Sequence, residues 1–197
     1  MLRKSIPTRS GNQIAGNYRQ HKNQLRGDFN QSCGYCDGLD QYSGGWRGFQ
    51  IDHFAPHSKF PQLKETYANL VYSCAFCNRS KSNKWIGNDP NVPNNGTEGF
   101  IDPCDAAYEN HLSRSDEGQI IPLTALGSFI HRQLHLGLLR HQLLWQAEAL
   151  ADLKIKVQAL IPVVKESGDK DALIELLERF VQITNDYERL RSEVVEA

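Results

Sequence analysis

The spacing of apolar residues changes along the chain and predicts four segments: 1–32, 33–85, 86–123 and 124–197. The first segment has four apolar residues on one helical face, which predicts a helix over residues 10–30. These residues are Ile14, Tyr18, Leu25 and Phe29. In the second segment, short apolar runs alternate with turn residues, and strands are predicted at residues 49–54 and 70–73. The third segment is rich in Pro, Gly and Asn, so we expect an irregular connection.

The fourth segment returns to helical spacing, and from residue 150 onward apolar residues follow one another in steps of three and four. One series runs from Leu150 to Val164 and the other from Leu173 to Val194, separated by a Ser-Gly-Asp turn. Pro162 is expected to kink or end the first helix, because proline has no N–H for the helical hydrogen-bond ladder. Together the two series predict an antiparallel helical hairpin with a coiled-coil-like seam.

The charge of the chain is balanced overall but unevenly distributed. Its 197 residues include 22 Lys and Arg against 23 Asp and Glu, which excludes the basic coat of non-specific polyanion binders. Residues 1–32 carry six bases and one acid, so nucleic-acid binding is expected near the amino end, whereas the hairpin is acidic. No apolar run approaches the roughly 18 to 20 residues of a membrane span, and we expect a soluble, cytoplasmic protein without membrane contact.

Four of the five cysteines form two Cys-x-x-Cys pairs, Cys33 with Cys36 and Cys74 with Cys77, separated by 37 residues. Two such turns can bring four sulfurs around one ion in the tetrahedral shell that zinc prefers, whereas redox dithiol motifs occur singly. Four cysteine ligands leave no open position for water, so the pattern predicts a structural zinc site. The fifth cysteine, Cys104, is expected to be a small buried thiol.

Three polar elements lie between and after the cysteine pairs: Asp52-His53-x-x-Pro56, Asn69 and Cys77-Asn78. In this order and inside a zinc-binding frame, they resemble the HNH endonucleases of the ββα-metal superfamily over residues 33–85. Asn78 stands here where many members have a second histidine, a variant that other members of that family share. The resemblance implies an α+β fold with a ββα-metal nuclease core and a structural zinc knuckle. An N-terminal helix and a C-terminal helical hairpin would flank this core.

The resemblance also implies a role for each of these residues. Asp52 and Asn78 would hold a catalytic Mg²⁺ or Mn²⁺ ion, which prefers oxygen ligands. His53 would act as general base on the attacking water, and Asn69 would fix the loop between the strands. Adjacent residues of a regular strand point to opposite faces, so the strand must twist or end at His53 if Asp52 and His53 share one site.

Six basic residues are predicted to contact nucleic-acid phosphates: Arg19, Lys22 and Arg26 in the first segment, and Arg79, Lys81 and Lys84 after Asn78. For the second group, an ordinary solvated helix face is the alternative. His57 is interpreted as a surface histidine, with support of the metal site as the alternative. His131 and His135 lie four residues apart, but no acidic or cysteine partner accompanies them, so they predict no metal site.

The main functional hypothesis is a metal-dependent endonuclease that hydrolyses DNA. The C-terminal hairpin would bind a protein partner or a second copy, and the alternative is that it packs back onto the nuclease core. The stretch from Asp102 to Thr124 resembles small bacterial HNH proteins of Septu-type and retron-associated antiphage systems, which implies a defence setting with an ATPase as one partner. Two alternatives stay open: a zinc-stapled nucleic-acid-binding or scaffold module without catalysis, and an RNase. The trio Asp52, His53 and Asn78 favours an enzyme, because a binding module needs only the cysteines.

Overall fold

The computed structural model describes residues 1–11 and 16–196 and divides into two units. The first unit, Met1–His141, consists of short helices and two small antiparallel sheets. Its elements are α1 (Lys22–Asp28), α2 (Gly45–Gly48), β1 (Phe49–His53), β2 (Leu70–Cys74), α3 (Ala75–Lys81), β3 (Leu112–Arg114), β4 (Ile120–Pro122) and α4 (Ala125–Gln133). Short 3-10 helices lie between them at Tyr18–His21, Asp40–Tyr42, Pro61–Leu63, Tyr67–Asn69 and Ala106–Asn110. The second unit, Gln142–Ala197, contains most of α5 (Leu139–Ser167) and all of α6 (Lys170–Glu196).

The strand pair and the helix that follows it form a β–β–α unit. β1 and β2 pair antiparallel, with Asp52 opposite Val71 and His53 opposite Leu70. All five residues of β2 are buried, so both faces of this strand are covered. α3 begins directly after β2, and its first turn is capped by Cys74, whose Sγ accepts a hydrogen bond from the backbone N–H of Cys77 at 3.4 Å. This arrangement confirms the α+β class expected from the sequence.

The amino-terminal helix is shorter than the pattern predicts. Instead of one helix over residues 10–30, the structure has the 3-10 helix Tyr18–His21 followed by α1, and Ile14 lies outside the described residues. Gly16 has a φ of +137°, which a right-handed helix does not permit, and Asn17 then caps the 3-10 helix by accepting the backbone N–H of Arg19 at 2.9 Å.

The third segment contains more regular structure than its turn-rich composition predicts. A 3-10 helix at Ala106–Asn110 leads into the hairpin of β3 and β4, in which Leu112 lies opposite Pro122. Strands of three residues give too little alternation to be recognised in a sequence. α4 then packs against this hairpin so closely that a Cβ added at Gly127 would lie 1.9 Å from the carbonyl oxygen of His111.

The second unit is the predicted helical hairpin. The ammonium of Lys154 on α5 lies 5.7 Å from the ring centres of both Phe180 and Tyr187 on α6. α5 does not end at Pro162 but continues to Ser167, and Gly168 makes the turn to α6 with a φ of +75°. Among the described residues, no helix combines the length and the apolar character that crossing a membrane requires.

Burial along the hairpin follows the predicted seam only in part. The buried seam residues are Val157, Ile183, Leu190 and Val194. Leu153 and Leu160, which the spacing assigns to the seam, are 40% and 51% exposed. Ile174 and Val181 on α6 are exposed as well, so both helices present apolar side chains to solvent.

Candidate functional site

The two cysteine pairs meet in one buried cluster. The Sγ atoms of Cys33, Cys36, Cys74 and Cys77 all lie within 4.8 Å of one another. In a tetrahedral site with Zn–S bonds of about 2.3 Å, neighbouring sulfurs lie about 3.8 Å apart, so small side-chain adjustments let this cluster hold one zinc ion. The first pair comes from the loop after α1 and the second from the junction of β2 and α3. An ion bound here would join that loop to the sheet.

A cavity of about 290 Å³ lies at the carboxyl end of β1, and Asp52, His53, His57 and Asn78 are among the ten residues that line it. From the sequence, Asp52 and His53 can share one site only if the strand twists or ends at His53, and β1 does end at His53. The cavity thus brings together a carboxylate, an amide and two imidazoles from β1, the following loop and α3. This mixture of polar groups in a concave site is typical of a catalytic centre.

Asn69 holds the chain where it leaves β1. Its Oδ1 accepts the backbone N–H of Ala55 at 2.8 Å, and its Nδ2 donates to the carbonyl of Ala55 at 3.0 Å. Its own carbonyl accepts the N–H of Phe54 at 2.8 Å. Asn69 is buried and does not line the cavity, so these contacts fix the loop that carries His57 rather than touching a substrate.

Asp52 is buried and held on one of its two carboxylate oxygens. The hydroxyl of Tyr35 donates to Oδ2 at 2.6 Å, and the ammonium of Lys81 lies 3.7 Å from the same oxygen. Burial raises the pKa of Asp52, while the charge of Lys81 and the hydrogen bond from Tyr35 oppose that rise. Burial also raises the pKa of Tyr35 well above its usual value, so the phenol keeps its proton and acts as the donor.

The surroundings of His53 define which ring nitrogen can accept a proton. Nε2 lies 2.9 Å from the carbonyl of Lys64, and because a carbonyl only accepts, Nε2 carries the hydrogen. Nδ1 is then the acceptor nitrogen, and Nδ1 of His57 lies 3.2 Å from it. Burial lowers the pKa of His53, and the nearby His57 lowers it further, whereas the hydrogen bond to the Lys64 carbonyl raises it. The net effect favours the neutral imidazole. The ring of Tyr18 packs edge-on against His53 at 4.7 Å.

Asn78 supplies a second oxygen to the cavity. It sits on α3, half-buried, and its Nδ2 donates to Oε1 of Gln50 on β1. Since the amide nitrogen is used in this contact, Oδ1 is the atom that can bind an ion. A carboxylate and an amide oxygen suit Mg²⁺ or Mn²⁺, so the residues present fit the catalytic ion that the sequence implies.

Three of the six predicted phosphate-binding residues are engaged within the protein. Lys81 is fully buried among Asp52 and two phenylalanine rings, and its Nζ donates to the carbonyl of His53 at 3.2 Å. The guanidinium of Arg26 lies 2.5 Å from the buried carboxylate of Asp40, and Lys84 donates to the carbonyl of Gln133 at 3.1 Å. Lys81 in particular contacts Asp52 and His53 from inside the domain, which corrects its assignment to a phosphate-contacting face.

The other three predicted phosphate-binding residues are exposed or half-buried. Arg19 and Arg79 are exposed and follow directly after the cavity-lining residues Tyr18 and Asn78. Lys22 is half-buried and lies 4.4 Å from the ring centre of Trp46, and burial lowers its pKa. Arg19 and Arg79 are therefore the predicted basic residues best placed for a substrate at the cavity.

Three further histidines and Cys104 lie outside the cavity and the four-cysteine cluster. His131 and His135 belong to no metal-binding group in the part of the chain that the structure describes. His141 is buried, and burial lowers its pKa to about 4, as expected for a neutral core histidine. Cys104 is partly buried, lies outside the four-cysteine cluster, and has its pKa raised to about 11 by burial.

Tyr35 and His57 are among the residues that contact the functional side chains and that sequence reasoning did not place there. Tyr35 lies inside the first cysteine pair, but nothing in its spacing signals a contact with Asp52. His57, interpreted from the sequence as a surface histidine with support of the metal site as the alternative, is exposed, lines the cavity and reaches His53. Its position four residues after His53 was the available signal.

Comparison with known proteins gives one match. The family model for HNH endonuclease matches residues 33–84, a span that includes the four cysteines, Asp52, His53 and Asn78. No curated protein and no solved structure matches the chain. The matched span also contains β1, β2 and α3. The chain therefore contains an HNH endonuclease domain at residues 33–84.

Proposed function

We propose that this chain is a divalent-metal-dependent endonuclease that hydrolyses phosphodiester bonds in DNA. The observation that carries the proposal is the single cavity into which Asp52, His53 and Asn78 converge within the HNH domain. A binding module would need the zinc cluster but not this trio. The enzyme is therefore favoured over a scaffold without catalysis.

The contacts of the three residues define what each would do. Asp52 and Asn78 would hold the ion through oxygen atoms, and a bound Mg²⁺ or Mn²⁺ supplies positive charge for the phosphate and the departing 3′ oxygen. His53 keeps its Nε2 hydrogen on the Lys64 carbonyl, so its Nδ1 can accept the proton of the attacking water. Because the bond between phosphorus and the 3′ oxygen breaks, the products carry 5′-phosphate and 3′-hydroxyl ends.

The proposal is tested by incubating zinc-loaded full chain with plasmid, linear duplex DNA, single-stranded DNA and RNA, with Mg²⁺, Mn²⁺ or EDTA. We expect DNA cleavage that requires the divalent ion and stops in EDTA. Cleavage of RNA alone would make the protein an RNase. If all four substrates stay intact with both Mg²⁺ and Mn²⁺, the protein is a nucleic-acid-binding or scaffold module and not a nuclease.

The first prediction concerns the exposed arginines beside the cavity. Replacing Arg19 and Arg79 together by Gln should weaken DNA binding and flatten its dependence on salt by about two units of log Kd per log salt, since each phosphate contact contributes about 0.9. Binding titrations at several salt concentrations measure this slope. Arg132→Gln, at an exposed position on α4, is the matched control and should leave the slope unchanged. Equal slopes for the double variant and the parent would remove both arginines from the interface.

The defence setting is a second part of the proposal. Its support is the resemblance of the stretch from Asp102 to Thr124 to antiphage HNH proteins. Plaque counts on bacteria that express the intact chain, compared with its His53→Ala variant, test this setting. Equal counts would leave the nuclease without a defence role under those conditions.

We also propose that the hairpin binds a second copy of the chain. On α5, exposed Leu160 and Val163 share a face with Lys156, and on α6, exposed Ile174 and Val181 share a face with Glu178. These apolar faces carry opposite charges, so a two-fold contact can place Lys156 against Glu178 of a second copy.

A charge swap tests this contact. Light scattering should show a dimer for the parent, more monomer for Glu178→Lys, and a restored dimer when Lys156→Glu is added, because the swap recreates the attraction. A parent chain that stays monomeric at every concentration contradicts the proposal. A monomeric swap variant would contradict the pairing of these two residues.

A further inference from the structure

The two metal-binding centres of the HNH domain are linked by one side chain, that of Tyr35. Tyr35 is one of the two residues between Cys33 and Cys36, so its backbone belongs to the turn that carries the first pair of zinc-binding sulfurs. Its hydroxyl donates to Oδ2 of Asp52 at 2.6 Å. A single residue therefore joins the zinc turn to a carboxylate of the catalytic cavity.

The turn that carries Tyr35 is held rigidly. The N–H of Gly34 donates to the carbonyl of Tyr72 on β2 at 2.9 Å, and the carbonyl of Tyr35 accepts the hydroxyl of Tyr108 at 3.0 Å. A Cβ added at Gly34 would lie 2.7 Å from the ring of Phe29 and 2.8 Å from Val71, so the turn packs directly on its neighbours. Tyr35 itself has no exposed surface. Its hydroxyl is thus fixed in space as long as the turn is formed.

Two other groups act on the carboxylate of Asp52: the ammonium of Lys81 and the backbone N–H of His53. Lys81 approaches the same carboxylate oxygen at 3.7 Å, a longer contact, and shares its ammonium with the carbonyl of His53. A buried carboxylate that loses a short hydrogen bond must find another partner or rotate. The hydroxyl of Tyr35 makes the shorter of the two side-chain contacts to this carboxylate and comes from a fixed turn, so it restrains where the carboxylate of Asp52 points.

We propose that Tyr35 is a positioning residue through which the four-cysteine centre orients Asp52 and sets the affinity of the cavity for its divalent ion. The inference rests on the proposed function, since it takes Asp52 as a ligand of that ion. With Oδ2 engaged by Tyr35 and Lys81, Oδ1 is the oxygen assigned to the ion. Partners that orient a metal ligand typically change metal affinity by about 10- to 100-fold when they are removed.

The test is Mn²⁺ binding to the zinc-loaded full chain, measured by the electron paramagnetic resonance signal of free Mn²⁺. Tyr35→Phe should weaken Mn²⁺ binding by about tenfold or more while zinc content and melting temperature stay close to those of the parent. In cleavage assays the same variant should need more Mn²⁺ for half-maximal rate and recover most of the parental rate at saturation. A merely structural defect would lower the maximal rate instead.

Tyr72→Phe is the matched control. Tyr72 is also a buried tyrosine whose hydroxyl donates to a buried carboxylate, that of Asp40, at 2.7 Å, but Asp40, unlike Asp52, does not line the cavity. It should leave Mn²⁺ affinity unchanged. Parental affinity in Tyr35→Phe, or an equal loss in both variants, would overturn the positioning role.

A third variant, Asp52→Asn, separates this inference from the proposed function. It keeps an acceptor for Tyr35 but removes the charge, so it should abolish Mn²⁺ binding at the cavity. Lost binding in Asp52→Asn with parental binding in Tyr35→Phe overturns the role of Tyr35 alone. Parental binding in Asp52→Asn overturns the ion site and the inference together.

Discussion

His53→Ala is expected to lower DNA cleavage by about 10²- to 10⁴-fold, the usual loss when a general base is removed. The reason is geometric: Nε2 of His53 donates to the Lys64 carbonyl, so Nδ1 is the nitrogen of this ring that is left to take a proton. Zinc content should be unchanged, because His53 is not part of the four-cysteine cluster. Single-turnover cleavage of plasmid DNA at saturating Mg²⁺ measures the effect.

His57→Ala is the informative comparison for this experiment. His57 brings its Nδ1 within 3.2 Å of Nδ1 of His53 but is exposed, whereas His53 is buried. Removing His57 leaves the acceptor nitrogen of His53 in place, so the loss of rate should be much smaller. If His57→Ala loses as much activity as His53→Ala, or if His53→Ala cuts at the parental rate, the assignment of His53 as the base is wrong.

The parts of the site that depend on short-range spacing could be predicted from the sequence. Each Cys-x-x-Cys turn brings two sulfurs together by local geometry, and the cluster of four required only that the two turns meet. The strands at 49–54 and 70–73 were predicted within one residue of β1 and β2, because their flanking turn residues are distinct. Local patterns of this kind need no knowledge of the tertiary fold.

The parts that depend on packing across the domain could not be predicted in this way. Lys81 follows Asn78 on a short helix, and its sequence position is compatible with a solvated face. Its burial is decided by Asp52 on a different element, whose carboxylate offsets part of the cost of removing an ammonium from water. The contact between Tyr35 and Asp52 likewise spans 17 residues and appears only when the turn folds onto the sheet.

Zinc removal should have the largest effect on stability. Cys74 has two roles, since its Sγ belongs to the four-sulfur cluster and also accepts the Cys77 N–H that caps α3. Cys74→Ser should lose bound zinc and unfold or aggregate the HNH domain, because structural zinc binding contributes about 10–16 kcal/mol to folding in small zinc domains. Elemental analysis and thermal melting followed by circular dichroism measure the two changes.

Cys104→Ser is the matched control for that experiment, and it makes the prediction specific to the cluster. Cys104 is a partly buried thiol that does not belong to the four-cysteine cluster, so its replacement leaves all four zinc-binding sulfurs in place. We expect about one zinc per chain in the parent and in Cys104→Ser, and none in Cys74→Ser. Soluble, folded parent protein without zinc would contradict the prediction. A Cys74→Ser variant that keeps both its zinc and its melting transition would also contradict the prediction, since neither zinc binding nor folding would then depend on Cys74.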